Sequence, residues 1–132
     1  MDGSMRIVLD TNVLLSATLW EGSESQKLLF RLIRSGADIV SSADLLSEYY
    51  EVLRREFGYA EEETTRILGK VVSCVRLVEP VVHVREAPDP GDDKVLECAI
   101  AALADYIVTY DKALLNMGTF RGIQMVLPKE VP

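Results

Sequence analysis

Apolar runs of strand length alternate along this chain with stretches of helical period, and that alternation predicts an α/β fold around a mainly parallel sheet. Arg6 to Asp10 is a short apolar run of the kind a parallel strand covered on both faces requires. Thr11 to Leu19 turns into a first helix, and Ser25 caps a second, in which Leu28, Leu29, Leu32 and Ile33 form one stripe and Gly36 ends it. Asp38 to Ser41 is a second strand. Ser41-Ser42-Ala43-Asp44 has the pattern of a capping box leading into a helix through about Phe57, with Leu45, Leu46, Tyr49, Val52 and Leu53 on its buried face. Ala60 to Cys74 reads as a further helix whose first turn holds Glu61, Glu62 and Glu63, where the helix dipole favours acids.

Val75 to Val84 is a third extended region, interrupted by Pro80, and Pro88, Pro90 and Gly91 then break the chain. Asp92 or Asp93 starts a helix ending near Ala104. Tyr106 to Thr109 is a fourth strand, Lys112 to Leu115 a short helical turn, and Ile123 to Val126 a final strand. The architecture expected is a three-layer α/β/α sandwich. There is no internal repeat, low-complexity tract or linker, so residues 5–132 read as a single domain.

Composition changes this picture little. Hydrophobic residues are 48% of the 132 positions and charged residues 27%, an ordinary soluble globular balance. No apolar run approaches the roughly 20 residues of a membrane-spanning helix. Residues 1–4 carry no signal pattern and read as a tag scar or alternative start ahead of Met5. Cys74 and Cys98 lack metal-ligand spacing and read as buried, reduced thiols, which favours the cytoplasm. The lone histidine, His83, excludes a His-rich zinc site and is expected at a structural strand position.

Charge matters more. A net charge of −7 argues against nucleic acid, since phosphate binding is driven by Lys and Arg. Local clusters such as Arg54-Arg55, or Lys27, Arg31 and Arg34, nonetheless leave room for it.

The candidate chemistry lies in acids at the ends of apolar elements. Asp10 and Asp111 each follow a strand and so belong on the same edge of a parallel sheet, where sites in open α/β folds form. Asp92 and Asp93 open the helix before the Asp111 strand, and Glu48 borders the apolar stripe of its own helix. Singly, each has a plain explanation: a turn, an N-cap or a solvated helix acid. Together they would repel one another unless a hard cation sat between them.

Val8-Leu9-Asp10-Thr11-Asn12-Val13-Leu14, the acid in the helix after the second strand, Asp92-Asp93 with Ala99-Ile100-Ala101-Ala102, and Ala104 to Asp111 occur in an order that resembles the PIN-domain family. The resemblance runs from about Met5 to Pro128 and is nearest to the VapC-like toxin components. It implies an Mg²⁺- or Mn²⁺-dependent endoribonuclease. The metal and catalytic set carried over by motif is Asp10, Glu48, Asp93 and Asp111, with Asp93 preferred by its spacing but Asp92 able to share the role. Asn12 and Thr109 match polar positions that shape the site. Glu97 is a further, less committed acid of the same cleft. The resemblance also implies cleavage to a 5′-phosphate and a 3′-hydroxyl, a homodimer, an RNA substrate and a small antitoxin partner.

Other readings are weaker. A haloacid-dehalogenase phosphatase needs a second Asp where this chain has Asn12, and a receiver domain needs its acid pair early rather than at Asp92-Asp93. A catalytically idle binding or dimerisation module of the same fold stays open. Tyr49, Tyr50, Phe57 and Tyr59 are candidates for an aromatic interface or for the core, and Trp20 is expected half exposed in a loop, able to stack on a base or to close the core.

Overall fold

The computed structural model describes residues 4–132, and residues 1–3 of the scar expected at 1–4 lie outside them. The chain runs β1 (Arg6–Leu9), α1 (Thr11–Leu19), α2 (Glu24–Ser35), β2 (Asp38–Ser41), α3 (Ala43–Arg55), α4 (Glu61–Val72), β3 (Arg76–Leu77), α5 (Asp93–Ala102), β4 (Tyr106–Val108), α6 (Lys112–Met117), β5 (Thr119–Phe120) and β6 (Ile123–Val126). The strands form one sheet in the order β3-β2-β1-β4-β6-β5. All pairings are parallel except the β5–β6 hairpin.

The strands are short because each needs only to cross a core that is apolar on both sides. In β1, Ile7 and Leu9 enter one core, packed with Val13, Leu28, Leu32, Tyr49 and Leu53, while Val8 enters the other, packed with Leu96, Cys98, Ala99 and Leu114. In β4, Val108 joins the first core and Ile107 the second. This period-two division makes the sheet the middle layer of the expected three-layer α/β/α sandwich. Each fully buried Leu or Ile contributes about 1.5–3 kcal/mol of transfer free energy.

Several boundaries differ from the sequence expectation. The cap of α2 is Ser23, whose side chain accepts from Gln26 N, so Ser25 lies inside the helix, buried. The cap of α3 is Ser42, which accepts from Leu45 N, rather than Ser41, which ends β2. Gly36 does close α2, at φ +74°. The third extended region keeps only Arg76–Leu77 in the sheet, and the chain beyond it leaves the ladder after Val78 N donates to Ser41 O. His83 therefore lies exposed in a loop, not in a strand.

Cys98 is buried as expected, whereas Cys74 is exposed just past α4. The two-residue β5 was not anticipated. It turns back onto β6 through Arg121 (φ +51°) and Gly122 (φ +82°), a pair of positive φ values that makes the mirror-image turn favoured by hairpin twist.

Candidate acidic active site

Strand register brings the site together. Leu9 pairs with Val108 across β1 and β4, so the next residues, Asp10 and Thr109, emerge side by side at the carboxyl end of the sheet. Asp10 N donates to Val108 O at 2.9 Å, and Thr109 N donates to Val126 O at 3.0 Å, so both backbones are held by the ladder. Asp10 caps α1, its Oδ1 accepting from Thr11 N at 2.9 Å, and its Oδ2 accepts from Thr109 Oγ1 at 2.8 Å. The Asp10 side chain is buried, and burial pushes its carboxyl above the ordinary range; the Thr109 and Thr11 hydrogen bonds oppose this, and the nearby Glu48 and Asp111 charges add to it.

Thr109 is buried and serves both neighbours, because its Oγ1 also accepts from Asp111 N at 2.9 Å. Asp111 caps α6, its Oδ1 accepting from Ala113 N at 2.8 Å. Opposite stands Asp92, the last residue of a 3₁₀ turn at Pro90–Asp92 that precedes α5. Its Oδ2 is buried and has no hydrogen-bond partner. Desolvation first, then the neighbouring Asp111 carboxyl and the charges of Asp10 and Asp89, raise its pKa to about 7. Asp92 therefore keeps its proton to higher pH than an ordinary aspartate does in the metal-free protein.

Asp92 rather than Asp93 thus stands beside Asp111 and Asp10. Asp93 Oδ1 instead accepts from Ala87 N at 2.9 Å, fastening the loop that leads into α5. Glu97 likewise accepts from Val84 N at 3.0 Å and lies 3.5 Å from His83 Nδ1. Glu48 reaches the site from α3: its Oε1 accepts from Thr11 Oγ1, and its Oε2 pairs with Lys94 Nζ at 2.7 Å. Asn12 is exposed on the first turn of α1. Thr11 and Lys94 were not singled out in the sequence, although each is adjacent to a predicted acid.

Elsewhere the aromatics divide as expected between core and surface. Tyr49 is fully buried, its hydroxyl 2.7 Å from Thr18 Oγ1, while half-exposed Trp20 meets Phe57 edge to face at 5.7 Å.

The donor set is all oxygen, suited to a hard divalent cation, and the donorless Asp92 Oδ2 is an atom such an ion would satisfy. The acids are neighbours rather than a closed cage. Among the described residues no three His, Cys, Asp or Glu side chains are gathered closely enough to hold a metal ion by themselves. An ion held here would have to keep several waters, as Mg²⁺ does. No helix among the described residues is long and apolar enough to cross a membrane.

Comparison with known proteins bears on the fold and the family. No curated protein sequence matches the chain. Among solved structures it is similar to VapBC2 of Rickettsia felis, determined bound to a DNA fragment from its promoter, at 15% identity and a TM-score of 0.66, covering 92% of this chain and 97% of that one. It is also similar to PAE2754 of Pyrobaculum aerophilum, at 16% identity and a TM-score of 0.67, covering 98% of this chain and 90% of that one. These likenesses establish the fold. The PIN domain family model matches residues 6–113, which include Asp10, Glu48, Asp92, Asp93 and Asp111. The chain belongs to the PIN domain family, a family of nuclease type whose members typically use divalent metals.

Proposed function

We propose that this protein is an Mg²⁺- or Mn²⁺-dependent endoribonuclease, folded as a single domain over residues 5–132 and acting in the cytoplasm. The observation that carries the reading is the buried, donorless Asp92 Oδ2 facing Asp111 and Asp10. Asp10, Asp92 and Asp111 are the principal metal-holding carboxylates, with Glu48 and Asp93 at the margins of the set. When bound, the ion would polarise the phosphodiester and stabilise the leaving oxygen. The chain's own part is positional: Thr109 fixes the Asp10 carboxylate and the Asp111 backbone, Thr11 orients Glu48, and Asn12 shapes the approach of substrate. The products are a 5′-phosphate and a 3′-hydroxyl.

The VapBC2 likeness supports a further step, that the chain is the toxin of a toxin–antitoxin pair restrained by a small antitoxin. In this reading the chain is also a homodimer. A catalytically idle module is the second reading. It is favoured by the net charge of −7 and by Lys94 already countering Glu48.

Cleavage of a mixed RNA substrate in Mg²⁺ or Mn²⁺, comparing the native chain with Asp10→Asn, decides between them. The native chain is expected to cut and the variant to lose at least about 100-fold, the loss of a few kcal/mol of charge stabilisation. Equal activity in the two would trace the cutting to a contaminant and sink the proposal. An inert native chain that binds no Mn²⁺ would favour the idle module.

A further inference from the structure

Five carboxylates, Asp10, Glu48, Asp92, Asp93 and Asp111, stand at or beside this site, and one of them, Glu48, is ion-paired with an ammonium, Lys94. The ion-paired cations Lys27, Arg55, Arg66, Arg76, Arg121 and His83 pair with acids outside this set, and their side chains are 48–83% exposed. Lys94 is different. Its side chain is only 30% exposed, and its Nζ is 2.7 Å from Glu48 Oε2, itself fixed through Oε1 by Thr11 next to Asp10.

Holding a long, rotamer-rich cation partly out of water costs side-chain entropy and hydration, and a single half-buried ion pair returns little of either. The stiff mounting makes better sense if the ammonium has a second partner. An ammonium carries three donors, and Glu48 occupies one. Two are left for an acceptor entering the cleft.

We propose that Lys94 is a substrate-positioning residue that binds a backbone phosphate of the RNA strand, held in place by Glu48. The inference rests on the nuclease reading above and deepens it. A phosphodiester approaching five carboxylates, in a chain of net charge −7, meets repulsion that one divalent ion does not fully cancel. A fixed ammonium inside that field supplies the compensating charge where the strand must lie. Glu48 then acts through Lys94, by orienting it.

The test is fluorescence anisotropy of a labelled single-stranded oligoribonucleotide with Ca²⁺ in place of Mg²⁺, repeated over a range of KCl concentrations. Native chain, Lys94→Met, Lys94→Arg and Lys129→Met are compared, the last removing an exposed charge outside the site. A phosphate contact predicts that Lys94→Met binds about tenfold more weakly, with the slope of log affinity against log salt shallower by about one contact, whatever the sequence of the oligonucleotide. Lys94→Arg is expected to restore the slope and Lys129→Met to match the native chain. In Mg²⁺ turnover, Lys94→Met should raise KM more than it lowers kcat.

A native slope in Lys94→Met, with only the melting temperature changed, overturns the assignment and leaves Lys94 a structural partner of Glu48; the nuclease reading would then stand on native cleavage. A native chain that neither binds nor cuts RNA overturns both.

Discussion

At the scale of single residues, the Thr109 hydroxyl joins the two halves of the site: it donates to Asp10 Oδ2 and accepts from Asp111 N. Thr109→Val keeps the shape but leaves Asp10 with one donor fewer and Asp111 N without its acceptor. The Asp10 carboxyl, already raised by burial, should rise further. Metal affinity and RNA cleavage are expected to fall about 10- to 100-fold, the usual cost of losing a group that orients a ligand, with a stability loss of about 1–3 kcal/mol. Thr109→Ser should recover most of both. A Thr109→Val variant that cleaves RNA at the native rate would remove the residue from the proposed mechanism.

Asp10, Asp111 and Glu48 stand out as candidates because strand ends and helix faces are visible in the hydrophobic pattern, whereas Thr109 enters only through the family resemblance. The choice between Asp92 and Asp93 was less accessible. A single 3₁₀ turn at Pro90–Asp92 rotates the chain just before α5, and neighbouring acids differ in direction by about 100° per residue. Lys94 escaped notice because its role depends on Glu48, 46 positions earlier in the chain.

At the scale of elements, the long helices and buried strands were legible, while ends and edges were not. The caps of α2 and α3 each sit within one or two residues of another serine, and only geometry separates Ser23 from Ser25 or Ser42 from Ser41. β3 and β5 are two-residue edge strands whose existence depends on a neighbour's free backbone groups rather than on their own sequence.

The end of α5 is a further case. Leu103 takes the left-handed cap position, φ +53° and ψ +48°, that glycine usually fills, while Ala104 N closes the helix onto Ala99 O at 3.0 Å. The leucine is 74% exposed, so its side chain gives the core little in return. Leu103→Gly is therefore expected to stabilise the protein by about 0.5–1 kcal/mol, seen as a melting temperature a few degrees higher. A lower melting temperature would show that the leucine contacts something in the folded protein.

At the scale of the molecule, β1 and β4 place Asp10 and Asp111 at one edge, α3 brings Glu48 and the turn before α5 brings Asp92. The parallel order made the shared edge foreseeable; how closely the acids approach depends on loop paths. That crowding has a sign that can be measured. Asp92, ordinarily ionised above pH 4, is pushed up to about 7, chiefly by desolvation and then by Asp111. The folded chain thus holds a proton that the unfolded chain has lost.

The stability this group contributes is complete below about pH 4 and disappears as pH rises through 7. Asp10, shifted in the same direction, adds to the effect. Thermal melts of the metal-free protein should consequently lose more stability between pH 5 and pH 8 than melts of Asp92→Asn.

Under the proposed function Mn²⁺ would be held by the ionised acids and would compete with that proton, so it should stabilise more at pH 8 than at pH 6. At a hundredfold excess over Kd the gain is about 2.7 kcal/mol, a rise on the order of 10 °C. The rise should shrink in Asp10→Asn and in Asp92→Asn. A shift of equal size at both pH values, or one undiminished in the two variants, would place the ion elsewhere on the surface and separate the metal from the acids that the sheet assembles.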